Sequence, residues 1–129
     1  MTTSLALLGR VGISLIFIIS GWGKIAAYAG TQQYMESAGL PGGLLPLVIA
    51  LELGGGLAIL AGGFTRWIAL ALAAFSLASA ALFHGNLGDG AQAIHFWKNV
   101  AMAGGFLMLA AYGASTLSLD HLWNKRRNA

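Results

Sequence analysis

Four long apolar segments, approximately 5–28, 43–62, 67–85 and 96–115, take up most of this 129-residue chain. Each approaches the roughly 20 apolar residues that a helix rising about 1.5 Å per residue needs to cross about 30 Å of hydrocarbon. Only 9% of the residues are charged and 57% are hydrophobic, whereas soluble domains carry about 25% charged residues. Seven basic and four acidic side chains cannot cover the outside of a water-soluble bundle, so the outer solvent must be lipid. The third and fourth segments are clean, with no charge between Trp67 and Gly88 or between Asn99 and Leu119. The first carries Arg10 and Lys24, and the second carries Glu52.

The expected fold class is therefore all-α. It is a single membrane-embedded domain over 1–129, a four-transmembrane-helix bundle with a short interfacial helix between helices 1 and 2. That short helix falls between Ala29 and Gly42, where Thr31, Gln32, Gln33 and Glu36 alternate with Tyr34, Met35 and Leu40 before a Gly- and Pro-rich stop. Pro46 lies close enough to the start of the second helix to be tolerated in its first turn. Arg10 before an apolar run and the small residues of Ala27-Tyr28-Ala29 have the look of a cleaved leader. Lys24 interrupts that run, however, and no charge precedes Arg10, so the first segment is read as a retained helix.

Basic residues set the expected orientation. With N- and C-termini cytoplasmic, the inner side receives Arg10, Arg66, Lys125, Arg126 and Arg127, and the outer side only Lys24 and Lys98. The expected location is the inner (plasma) membrane of a bacterium, multi-pass. The net charge of +3 does not indicate nucleic acid, because the basic residues form no groove-tracking face; the terminal trio is a topology signal and headgroup anchor. The chain has no cysteine, which excludes disulfides, thiol redox chemistry and thiolate-held metals within it. His84 and His95 flank the outer loop, where solvated loop histidines are favoured over ligands. No ligand set with a recognised spacing appears, so no metal or haem is expected.

Helical periodicity places Arg10, Ser14, Phe17, Gly21 and Lys24 on one stripe of the first helix. Val48, Glu52, Gly55 and Ile59 form a stripe on the second, and Lys98, Met102, Gly105, Leu109 and Tyr112 on the fourth. Ala50, Gly54, Ala58 and Gly62 recur every four residues, which predicts a close helix contact at that face, widened by Gly55 and Gly56; Ala101 and Gly105 repeat the spacing on the fourth helix. Glu52 is the strongest single signal. It sits about 13 to 15 Å from either end of its helix, and an uncompensated charge at mid-membrane costs at least about 2.5 kcal/mol. Its partner is Arg10, Lys24 or Lys98; depth alone does not choose. Two readings stand: an ion pair that only fixes helix register, or a polar pocket inside the bundle. Trp22, Tyr34, Phe83, Phe96 and Trp97 form either an aromatic mouth on the outer side or an interfacial belt.

The chain resembles the DoxX family of small bacterial membrane proteins. The resemblance is carried by Arg10 in an apolar first helix, Ser20-Gly21-Trp22-Gly23-Lys24, Glu52-Leu53-Gly54-Gly55-Gly56, Gly62-Gly63-Phe64-Thr65-Arg66, Phe96-Trp97-Lys98-Asn99 and Leu117-Ser118-Leu119-Asp120. It implies a four-helix inner-membrane protein in a family where some members are linked to thiosulfate:quinone oxidoreductase or to membrane complexes handling oxidative stress. In a chain without cysteine, sulfur chemistry would need a substrate-borne sulfur or a partner protein. The functional expectation is a redox-associated subunit that binds a quinone-like or lipid-like molecule through Lys24, Glu52, Lys98, Asn99 and Arg10. Its partners are membrane lipids, redox-enzyme subunits and a second copy of the chain. The alternatives are a small proton-coupled transporter and a non-catalytic assembly or scaffold subunit.

Overall fold

The computed structural model describes all residues from Met1 to Ala129, and every regular element is helical. These are α1 (Thr2–Ala26), α2 (Tyr28–Ser37), α3 (Gly42–Ala61), α4 (Thr65–Phe83), α5 (Gly90–Tyr112) and α6 (Leu119–Arg127). By length and composition, α1, α3 and α4 can each cross a membrane. The fourth long helix, α5, runs for 23 residues, and His95, Lys98 and Asn99 make its first half more polar than the other three. It spans 90–112 where 96–115 was expected, because both ends carry stop signals. The Asp89 carboxylate accepts the Ala91 N–H at 3.0 Å, an N-cap. Gly113 at φ 73° ends the helix.

The long helices pair as α1 with α3 and α4 with α5, and aromatic side chains join the pairs. Phe17 of α1 meets Phe106 of α5 edge-on at 5.3 Å between ring centroids and Phe75 of α4 at 6.4 Å. Ile59, Leu72, Ala73 and Ala103 complete this core. On the outside, large apolar residues stand exposed on all four long helices, among them Leu8, Leu47, Trp67 and Met108. A surface of that kind is suited to lipid and not to water.

The second apolar segment is not the regular helix that its periodicity suggests. A 3₁₀ turn at Gly42–Leu44 leads into an α-helical turn at Leu45–Ile49, with Pro46 tolerated at its start. A widened π turn follows at Ala50–Gly54, and regular α-helix returns only at Gly55–Ala61. Ala50 and Gly54 point outward, and a Cβ at Gly54 would meet nothing within 4 Å. The close approaches occur at Gly56, where a Cβ would lie 2.8 Å from Ile18 Cγ1 and 3.2 Å from the Ser14 carbonyl oxygen, and at Gly55, against Leu72. The expected contact stripe is thus corrected in part: Ala50 and Gly54 face outward, Gly56 and Gly55 form the contacts with α1 and α4, and Gly62 at the end of the stripe is buried. On α5, Ala101 is exposed while Gly105 faces Ile13.

α1 gives way to α2 through a single non-helical residue, Ala27. α2 turns back over one end of the bundle, held by a 3.2 Å hydrogen bond from Gln32 Nε2 to the Gly42 carbonyl, by buried Met35 and by stacking of Tyr34 on Phe83 of α4 at 5.1 Å. At the opposite end, α6 closes the α3–α4 turn. The Asp120 carboxylate accepts the N–H groups of Phe64 at 2.8 Å and Thr65 at 2.9 Å, and its own N–H donates to the Gly62 carbonyl at 2.9 Å. These bonds satisfy the opening donors of α4 and hold Phe64 at φ 50°, a conformation that side-chain-bearing residues adopt only when surroundings impose it.

Candidate functional site

Glu52 stands in the π turn of α3 and is 3% exposed. Lys24, in the last turn of α1, reaches it with Nζ 2.9 Å from Oε1 and 3.1 Å from Oε2. The ammonium also donates to Ser20 Oγ, one turn back on α1, at 2.7 Å. Both carboxylate oxygens and the Ser20 hydroxyl therefore lie within hydrogen-bond distance of the ammonium. Close approach of α1 and α3 makes the pair possible. Gly21 lies against Leu53, with room for no Cβ, since one would come within 2.8 Å of the Leu53 backbone nitrogen. A π turn allows a side chain to be re-aimed without breaking the helix, which is why such turns cluster at functional positions.

The ion pair lies in the wall of a cavity of about 430 Å³ between α1, α3, α4 and α5, with α2 across its mouth. The polar lining comes from Ser20 and Lys24 of α1, Thr31 of α2, Glu52 of α3, Ser76 and Ser79 of α4, His84 just beyond α4 and Asn99 of α5. Phe17, Phe75, Phe83, Met35 and Met102 are among the apolar residues that form the remaining wall. That size and mix, mostly apolar with few placed polar groups, is typical of small-molecule sites. The stacked Tyr34 and Phe83 rings both border the cavity.

Of the expected site residues, Lys24, Glu52 and Asn99 come together at this cavity. Lys98 does not: its side chain is exposed, one position round the helix from Asn99 and turned away from the carboxylate. Tyr112, at the far end of the expected α5 stripe, is 77% exposed. The buried side of α5 is formed by Ala103 and Phe106 with Met102, Gly105 and Leu109 partly buried beside them, so only the two ends of the stripe, Lys98 and Tyr112, face outward. Arg10 is also separated from the pair. It shares the buried stripe of α1 with Ser14, Phe17 and Gly21, but 14 residues of helix place it about 21 Å from Lys24, where its Nη2 donates to the Leu117 carbonyl.

Several cavity residues escaped the sequence reading. Ser76 and Ser79 border it from α4, and two serines three apart in an otherwise apolar helix were the available signal. Ser76 satisfies its hydroxyl on the Leu72 carbonyl at 2.8 Å, so it presents an oxygen to the cavity with little desolvation penalty. In the sequence Asp120 and Ser118 stand out only within Leu117-Ser118-Leu119-Asp120; in the structure Ser118 caps α6 by accepting the His121 N–H. Of the aromatic mouth, Tyr34 and Phe83 meet, whereas Trp22 and Trp97 are exposed on the outer surface. His84 and His95 lie 5.1 Å apart, ring to ring. Burial of His84 holds its pKa below the usual value, and the nearby His95 and Lys98 lower it further.

Comparison with known proteins gives consistent results. The inner membrane protein YqjF of Escherichia coli (strain K12) is 53% identical over 120 residues, covering 93% of this chain and 92% of that protein. The inner membrane protein YphA of the same strain is 41% identical over 123 residues, covering 90% of this chain and 88% of that protein. No solved structure matches. The DoxX family model matches residues 5–85, which contain all but the first turn of α1, the whole of α2 to α4 and both members of the ion pair. On this match and on the identity to two full-length relatives, the chain belongs to the DoxX family.

Proposed function

We propose that this protein is a four-span inner-membrane protein whose cavity at the Lys24–Glu52 pair binds an amphiphile with a polar, hydrogen-bonding head, quinone-like or lipid-like. In this role it serves as the membrane-embedded subunit of a redox system. The observation that carries the reading is an ion pair placed in the wall of a mainly apolar cavity, with Ser20 bonded to it and Asn99 in the same lining. The Lys24 ammonium, whose side chain is 26% exposed, and the Asn99 amide are donors suited to a ligand carbonyl or ester oxygen. The aromatic and methionine walls accommodate a ring or an acyl chain. In the proposed orientation both termini are cytoplasmic, with Arg10, Arg66, Lys125, Arg126 and Arg127 on the inner side. α2 then lies at the outer interface over the cavity mouth. The relatives' names place them in the inner membrane, and the apolar exterior of this chain fits the same location.

The test is solvent extraction and mass spectrometry of protein purified in mild detergent, wild type beside the Lys24→Met/Glu52→Leu double variant. A quinone-class or lipid-class molecule at close to one per chain in the wild type, and depleted in the variant, supports the reading. Equal recovery from both would refute it. A proton-coupled exchanger needs a carboxylate free to load and unload its cargo, and the two contacts from Lys24 weigh against that role for Glu52.

A further inference from the structure

His84, the residue that follows α4, lines the cavity at the Lys24–Glu52 pair while staying partly exposed. Its ring lies 5.1 Å from that of His95 on α5. Lys98 follows His95 by three residues and so stands on the same side of that helix, and its charge reaches His84. His95 and Lys98 are both exposed, so the three basic groups are open to a molecule arriving from outside the protein. No carboxylate is paired with them. Lys24–Glu52 is the one ion pair of the chain, Asp89 caps α5 through the Ala91 N–H, and the Glu36 carboxylate lies against Gly42. A cation does not suit this cluster, because no third His, Cys, Asp or Glu joins the histidines in a metal-binding group and Lys98 opposes a further positive charge. An anion is the counter-charge it lacks. The same cavity also reaches the lipid-facing surface, since two of its lining residues, Ile16 of α1 and Leu82 of α4, are 51% and 50% exposed.

We infer that the ligand of this cavity is an acidic glycerophospholipid, its phosphate held by His84, His95 and Lys98, an ester carbonyl turned to Lys24 and one acyl chain inside along Phe17 and Met102. The inference rests on the amphiphile-binding role proposed above and names the lipid class within it. Lysine and histidine N–H groups form charge-assisted bonds to phosphate oxygens. In the proposed orientation the cluster stands at the outer interface, the depth at which lipid headgroups lie, and the second acyl chain remains in the bilayer beyond Ile16 and Leu82.

The test is native mass spectrometry of the full chain, delipidated in mild detergent, with phosphatidylglycerol, with phosphatidylcholine of the same acyl chains and with a short-chain quinone. His95→Gln/Lys98→Gln changes exposed side chains only, and melting of each variant reports folding separately. The expected result is one phosphatidylglycerol per chain, retained about tenfold better than phosphatidylcholine, with that preference cut to about twofold or less in His95→Gln/Lys98→Gln. Lys98→Glu should weaken phosphatidylglycerol retention further, and Lys24→Met/Glu52→Leu should abolish it. Inorganic phosphate should fail to displace the lipid; full displacement would show that the cluster reads the free anion and would overturn the lipid assignment. Equal retention of the two lipids, or an undiminished preference in folded His95→Gln/Lys98→Gln, also overturns the inference. If the quinone is retained by the wild type and lost from Lys24→Met/Glu52→Leu while the lipids show no preference, this inference falls and the proposed cavity function stands. If that double variant depletes none of the three, the cavity function falls as well.

Discussion

Lys24 and Glu52, 28 residues apart in the chain, meet across the α1–α3 interface with the ammonium nitrogen 2.9 Å from one carboxylate oxygen and 3.1 Å from the other. The pair is asymmetric, with side-chain exposures of 26% for Lys24 and 4% for Glu52. Removing the lysine strands a carboxylate inside the bundle, whereas removing the acid leaves an ammonium with Ser20 and an edge of solvent. Lys24→Met should therefore destabilise more than Glu52→Gln, by about 3 kcal/mol against a smaller loss, and Lys24→Met/Glu52→Leu should recover much of the difference. Denaturant or thermal unfolding in one detergent checks the ordering. A double-mutant cycle with no coupling would show that the two charges do not interact in the folded protein.

The glycines of α3 give a second prediction. Gly54→Ala adds a methyl group to open space in a helix and should be neutral or stabilising by up to about 1 kcal/mol. Gly56→Ala drives a methyl group into Ile18 and the Ser14 carbonyl and should cost about 1–3 kcal/mol. Thermal unfolding of the two variants side by side distinguishes the observed packing from a regular four-residue stripe, which assigns the contact to Gly54.

How much was legible in the sequence follows from these two regions. The buried face of α1 could be read from spacing alone, because α1 is a regular helix and its polar residues Arg10, Ser14 and Lys24 fall on one stripe with Phe17 and Gly21. Glu52 was identifiable as an intramembrane carboxylate, and its own stripe with Gly55 and Ile59 is buried as expected. The Ala50–Gly54 face was misread because a run of small residues does not say whether a neighbouring helix or lipid lies against it. The partner of Glu52 stayed open because depth along a helix does not report rotation. Lys98 was misplaced for the same reason: α5 turns Asn99 to the cavity and leaves Lys98 outside. The clamp by Asp120 joins residues 55 and 56 positions apart, beyond the reach of any periodicity.

That clamp predicts that Asp120→Ala frees the Phe64 and Thr65 N–H groups and destabilises the protein by about 0.5–2 kcal/mol, as loss of an N-cap does. Hydrogen exchange at Phe64 and Thr65 should accelerate in the variant, and Phe64–Trp123 contact, 5.1 Å between rings, should loosen with a change in tryptophan emission. Unchanged exchange at both amides would contradict the assignment.

His84 supplies a pH prediction. Its pKa lies below the usual value of about 6.5 because it is partly buried and because His95 and Lys98 stand nearby. The folded protein thus favours the neutral ring. This stabilisation is fully present above about pH 6.5 and is lost as pH falls through the lower folded-state value. Melting between pH 8 and pH 5 should decline more in the wild type than in His84→Gln, and the His84 ring proton shifts should titrate with a midpoint below that of a free histidine. Parallel declines would mean that another group controls the acid response.

The most direct measurement is photolabelling of the purified full chain with an azido-quinone, with the labelled peptides mapped by mass spectrometry. The account predicts saturable labelling within Ser20–Lys24, Ser76–Phe83 or Asn99–Met102, blocked by excess unlabelled short-chain quinone or phospholipid and lost in Lys24→Met/Glu52→Leu. Labelling that does not saturate, spreads over outward-facing residues such as Leu47 and Trp67, and persists in the double variant would contradict it.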